Sequence, residues 1–270
     1  MSGTRSGGGT PLVGRDAVRH AAATLLPQQP WPAVALADAI AVVDGAVTAG
    51  PDPALAWHGG NPWNPAGSTL NVLGGAQDGA GLIAAMAGPG DHVITTPAIL
   101  DALDARFSGA DHGGVGRYEW DLRTIRAPLP LLDPPEDTTV GWLRDDRATN
   151  ADIDALLDAS FAHASLRPGD PRAGRWCGIR DGSALIACAA QTLPAAPIAH
   201  LSSLAVLPDA RRGGLGAALT TFFVAEAFAA GAPYVVLAVD ADNIRGIALY
   251  DRLGFDTWHL AGMTAPLGAS

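Results

Sequence analysis

The sequence predicts a mixed α/β protein, and three observations carry that expectation. From residue 199 onward, apolar and helix-like runs alternate as strand, helix, strand, helix, strand. A glycine-rich turn, Arg211-Arg212-Gly213-Gly214-Leu215-Gly216, joins the first of these strands to its helix. A proline-rich stretch, residues 128–137, which neither a helix nor a central strand continues through, divides the chain into two halves. With 270 residues, 48% of them apolar, the chain is large enough for two domains.

The small, glycine-rich start makes residues 1–14 a disordered N-terminus. Residues 15–127 read as an N-terminal α/β lobe, with helices over 18–26, 33–47, 79–87 and 98–107 and strands near 70–73, 92–95 and 117–123. The segment from Trp57 to Asn64, rich in aromatic and amide side chains, reads as a loop that either walls an acceptor pocket or anchors itself in the core. Residues 128–137 are the linker, and 138–270 form the C-terminal domain. In it a strand at 138–144, a capped helix at 150–164 and a hairpin about Asp181-Gly182 precede the central strand, 199–207. A helix over 215–230 and a strand over 234–239 come next.

A strand that feeds a glycine turn and then a helix aims unpaired N–H groups and the positive end of the helix dipole at one point. Gly213, Gly214 and Gly216 let an anion approach the backbone, and Arg211 and Arg212 add permanently charged donors. Taken alone, the turn reads equally as an ordinary glycine-containing connection. Downstream, Asn243 is placed to cap a helix, with Gly246 and Tyr250 one and two turns later on the same face and Gly254 as the stop.

These residues resemble the GCN5-related N-acetyltransferase (GNAT) superfamily over about residues 138–265. Arg211, Gly214 and Gly216 match its phosphate-binding signature of Gln or Arg, two residues, Gly, one residue, Gly or Ala; Asn243, Tyr250 and Leu253-Gly254-Phe255 match its later helix. The resemblance implies a GNAT-type acyltransferase fold, and transfer of an acetyl or other acyl group from acyl-CoA to an amine by direct attack in a ternary complex. It further implies that Leu204, Ala205 and Val206 hydrogen-bond the pantetheine arm, with the Val206 N–H polarising the acyl carbonyl. Arg212, Gly213, Leu215 and Ala217 join the signature residues in clamping the pyrophosphate, Asn243 completes the coenzyme site, and Tyr250 protonates the leaving thiolate. The N-terminal lobe resembles those superfamily lobes that kept the fold and lost the coenzyme site; its nearest counterpart to the turn, Gly74-Gly75-Ala76-Gln77-Asp78-Gly79, has the wrong spacing.

The general base is harder to place. Of the three glutamates only Glu226 lies inside the matched region, and twelve residues beyond Gly214 it stands about 18 Å up the helix. It reads as structural. Some superfamily members carry a catalytic carboxylate six residues before the valine equivalent to Val206; here that position is His200, and the alternatives of a base and a strand-ending residue stay open. On a regular strand Ser202 shares the face of His200 and Ser203 lies on the other; Asp240 and Asp242 read as turn residues. A noncatalytic acyl-CoA-binding or regulatory module is the alternative to an enzyme.

A net charge of −10 without a basic stripe speaks against nucleic acid and favours a cationic acceptor, a small molecule or a peptide. All 17 basic residues are arginine, which excludes phosphate-loop nucleotidases and Schiff-base enzymes. Histidine and cysteine spacings indicate no metal, and Cys177 and Cys188 read as reduced, packed thiols. No apolar run is long enough for a membrane span, so a cytoplasmic monomer or homodimer is expected; the Ala, Gly, Pro and Arg usage suggests a bacterial source.

Overall fold

The structure, a computed structural model, describes residues 9–35, 42–61, 64–106, 115–192 and 198–265. In chain order the elements are β1 (Thr10–Val13), α1 (Arg15–Leu25), α2 (Trp31–Ala35), β2 (Val42–Val47), β3 (Ala54–Asn61), β4 (Asn64–Gly74), α3 (Ala76–Met86), β5 (His92–Thr95), α4 (Pro97–Arg106) and β6 (Val115–Ile125). They continue with β7 (Thr138–Trp142), α5 (Arg147–Ser160), β8 (Ala173–Asp181), β9 (Ala184–Thr192), β10 (Ala199–Val206), α6 (Leu215–Ala229), β11 (Val235–Asp240), α7 (Ile244–Arg252) and β12 (Asp256–Thr264). The chain forms two compact units: Met1–Leu122 with Trp258–Ser270, and Arg123–Thr257.

In the first unit β1 to β4 pair antiparallel in sequence order, β5 adds parallel to β4, and β12 lies antiparallel to β5 with Ala261 opposite Thr95. Leu70, Val72 and Val93 turn one face of this sheet toward Ile83 of α3 and Ile99 and Leu103 of α4. In the second unit β7 to β10 pair antiparallel and β11 adds parallel to β10. Leu219 and Phe223 of α6 cover one face with Ile179 and Leu237, while Ile153 and Leu157 of α5 cover the other with Trp176 and Cys188. Both units thus run four strands antiparallel, a helix after the fourth, a parallel fifth strand and a further helix.

Several expectations are corrected. Residues 10–13, within the stretch expected to be disordered, pair with β2 as strand β1; residues 1–8 lie outside the described residues. Of the helix expected over 33–47 only the part up to Ala35 is described as helix, and 42–47 form β2, which pairs with β3 from Val42, opposite Gly59, to Val47, opposite Leu55; residues 36–41 lie outside the described set. The segment 57–64 belongs to the β3–β4 pair, with Trp57 opposite Asn71 and fully buried, while Pro62 and Trp63 are not described. The helix expected over 150–164 runs from Arg147 to Ser160, and Asp146 caps it by accepting from Thr149 N–H at 2.9 Å.

Residues 128–137 lie within the second unit, where Leu129 packs on its core and Leu132 N–H donates to Thr221 Oγ1. Residues 258–270 fall with the first unit, since β12 pairs with β5. Cys177 and Cys188 are free and buried; the register sets Cys177 against Ala189 and Cys188 against Gly178. Among the described residues no helix is long and apolar enough to cross a membrane, and no group of three His, Cys, Asp or Glu could hold a metal.

Candidate coenzyme and acyl-transfer site

The site begins with a short parallel pairing. β10 and β11 share the rungs Ala199↔Val235, His200↔Val236 and Leu201↔Leu237, and both strands run on beyond the last rung to Val206 and Asp240. Past Leu201 the two strands part, leaving main-chain groups of β10 without a partner strand on that side. Which groups face the gap is fixed by the other edge. Leu207 N–H donates to Ile186 of β9 at 3.0 Å, so by the alternation of an extended strand the N–H groups of Leu204 and Val206 point away from β9, into the gap.

A bulge in β10 begins where the strands part. The β9–β10 register shifts between Ser202 and Ala205, and Ser203 stands at φ 51°, a left-handed conformation uncommon for serine. The bulge corrects the expectation of opposite faces. Ser202 Oγ meets Ser165 Oγ at 2.9 Å, and Ser203 Oγ accepts from Leu166 N–H at 3.0 Å, so both neighbours reach the segment after α5. Leu204 and Val206 then pack with Ala199 and Leu201 on the α6 side, and Ala205 turns to the α5 side. Ser203 also donates to Leu166 O, which holds the strained residue in place.

Beyond β10 a short 3-10 turn, Pro208–Ala210, leads into the glycine turn. Arg212 (φ 73°) and Gly214 (φ 78°) both take left-handed conformations at the start of α6, a backbone geometry of the kind that turns N–H groups toward an anion. Among the described residues the N–H groups of Gly213, Leu215, Gly216 and Ala217 meet no acceptor, whereas Ala218 already donates to Gly214. Gly216 lies against Leu249 of α7, where an added Cβ would come within 3.4 Å. Arg212 is exposed at the turn, whereas Arg211 is turned onto the backbone: its Nε–H donates to Val206 O at 3.2 Å and its Nη2 to Ser160 O at 3.3 Å.

Asn243 caps α7, accepting from Gly246 N–H at 3.0 Å; its amide is therefore used to seat the helix that carries Tyr250. Tyr250 is buried against Phe255, ring centroids 5.5 Å apart. Burial raises its phenol above the ordinary tyrosine range, with Arg123 opposing the shift. Arg123, itself buried, pairs with Asp251 beside it. His200 is buried on β10 with Nδ1 2.9 Å from Thr192 Oγ1, and burial pushes it down to about 4. Its imidazole is neutral near pH 7. Glu226 accepts from the Trp142 indole N–H at 2.7 Å, a packing role between α6 and β7.

A groove of about 510 Å³ at the outer strand β7, bordered by Trp142, Arg144, Asp152 and Arg180, includes neither Tyr250, His200 nor any residue of the glycine turn. The sequence pattern does not show the bulge, since serine has no strong left-handed preference, nor the diversion of Arg211 onto the backbone.

A mixed sheet whose central parallel strands part above a glycine turn at a helix N-terminus has the fold of the acyl-CoA acyltransferases. Residues 133–255 match the acetyltransferase (GNAT) family, and this part of the chain belongs to it. The mycothiol acetyltransferase of Streptomyces coelicolor is 30% identical over 155 residues, covering 51% of this chain and 50% of that protein. That of Streptomyces scabiei is 42% identical over 160 residues, 51% of each chain; the chain spans about half the length of the curated relatives it matches. A GCN5-related N-acetyltransferase-like protein from Streptococcus suis, 14% identical, has a TM-score of 0.51 over 92% of this chain and 98% of its own, a likeness of fold alone.

Proposed function

We propose that the second unit is an N-acyltransferase that moves an acetyl group from acetyl-CoA to a primary amine by direct attack. The observation that carries this reading is the gap between β10 and β11 ending at the Arg212–Gly214 turn. A pantetheine arm matches a gap edged by unpaired strand groups, and a pyrophosphate matches unpaired N–H groups at a helix N-terminus. In this reading Leu204, Ala205 and Val206 edge the arm, and Val206 N–H polarises the acyl carbonyl. Gly213 to Ala217 hold the pyrophosphate, and the exposed Arg212 adds charge.

The amine nitrogen attacks the acyl carbon, the carbon–sulfur bond breaks, and the thiolate takes a proton from the Tyr250 phenol. Burial keeps the phenol protonated, the form a donor needs, and a thiolate released in the same desolvated pocket is made more basic likewise, which offsets the harder loss of the phenol proton. The amine loses its own proton to water. We assign His200 a positioning part: an imidazole pushed to about 4 is poorly matched to deprotonating an ammonium. The relatives' name suggests a small-molecule acceptor of the kind mycothiol acetyltransferases use.

The alternative, an acyl-CoA-binding module without turnover, is favoured by that same absence of a matched base at position 200. The first unit is assigned no donor. β4 pairs with β3 without a shift from Thr69 to Gly74, and α3 starts at Ala76, close behind the last β4–β5 rung at Asn71. Gly75 N–H donates to Pro53 O, and Asp52 fills the space a Cβ on Gly75 would need, so a carboxylate already stands at this helix start. Calorimetric titration with acetyl-CoA tests the binding half of the proposal: one donor per chain is expected, abolished by Gly214→Val, because a β-branched residue at φ 78° is strained. Two donors per chain, or full binding by the variant, would contradict it.

A further inference from the structure

We infer that Arg211, the first residue of the phosphate signature, serves as a positioning residue that braces the acyl end of the site. The inference rests on the acyltransferase reading and deepens it. A residue of an extended strand turns its N–H and C=O toward the same edge, so the Val206 carbonyl faces the gap together with the N–H assigned to the acyl carbonyl. With β11 parted from β10, that carbonyl has no strand partner, and Arg211 Nε–H takes the partner's place at 3.2 Å. The same peptide is held on its other side by Leu207 N–H on Ile186 O. The end of β10 is thereby fixed from both edges, where an unpaired strand end would fray.

The second contact extends the brace. Arg211 Nη2 donates to the carbonyl of Ser160, the last residue of α5, where a cation also suits the negative end of the helix dipole. From that point the chain runs directly to Ser165 and Leu166, which meet Ser202 and Ser203 across the bulge. One planar guanidinium therefore ties the strand end, the end of α5 and the turn in which it sits, a task for a fork of donors that a single ammonium does not reproduce. Phosphate contact is left to Arg212 and the turn's N–H groups.

Hydrogen exchange of the donor-free protein and kinetics with two donors test this. In Arg211→Gln and Arg211→Lys, amides over residues 157–166 and 201–207 are expected to exchange roughly three- to tenfold faster. Turnover is expected to fall by the same factor with acetyl-CoA and with acetyl-pantetheine, which lacks the pyrophosphate. Unchanged exchange in both segments, full rescue by lysine, or a loss that disappears with acetyl-pantetheine would overturn the inference and return Arg211 to phosphate binding. If wild-type protein turns over no amine, the acyltransferase reading fails while the exchange result still decides the brace. Should Arg211→Gln not fold, Arg211→Lys carries both measurements.

Discussion

Tyr250 and His200 are both buried ionisable side chains, and burial acts on them in opposite directions. Each is kept uncharged: the phenol is pushed up and the imidazole down. For Tyr250 this suits a proton donor, and Tyr250→Phe is expected to lower turnover about 100-fold with donor affinity unchanged; equal turnover in steady-state assays would remove it from the mechanism. For His200 the unfolded chain takes up a proton below about pH 6.5 and the folded chain only near 4. The unfolded state thus binds more protons in that window, so stability is full above 6.5 and falls by about 3 kcal/mol as the pH drops toward 4. Thermal melts from pH 4 to 8 check this, and His200→Gln should flatten the acid side. In the pH–rate profile, a pH-independent loss in His200→Ala fits positioning; a loss that shrinks at high pH would make it the base.

At the scale of elements, the bulge in β10 decides the site. Ser203 is held at φ 51° by two hydrogen bonds to Leu166. Ser203→Ala removes both and leaves buried backbone groups short of a partner, a cost of about 1–3 kcal/mol, measurable by urea unfolding. Donor binding should weaken with it, because the β10 edge loses its shape; unaltered stability and binding would show that the bulge does not depend on this side chain. Much of the second unit's element order was legible, because apolar runs, Asn243 and Gly254 carry strand, cap and stop in their own chemistry. The bulge was not, since it arises from pairing with β9 and from the 165–166 segment, both distant in sequence. The same reason explains residues 42–47: their valines alternate ambiguously until β1 and β3 flank them.

At the scale of the molecule, the sequence suggests a division at the proline-rich stretch but not that residues 258–270 fall with the first unit. Nothing local in residues 256–264 says that their partner is β5. The shared element order of the two units was hidden as well, because the first keeps neither the bulge nor the glycine turn by which the second was read. The units differ in how the chain leaves the fourth strand: by a tight entry into α3 beside Asp52 in the first, and by a long turn left-handed at Arg212 and Gly214 in the second.

At every scale the gap and turn of the second unit are taken to hold an acyl donor for an amine. Free thiol released from acetyl-CoA, monitored over a panel of primary amines, tests this most directly. Release that depends on an amine and yields one acetylated amine per thiol is expected; donor binding with no release on any amine would contradict acyl transfer and leave a binding module.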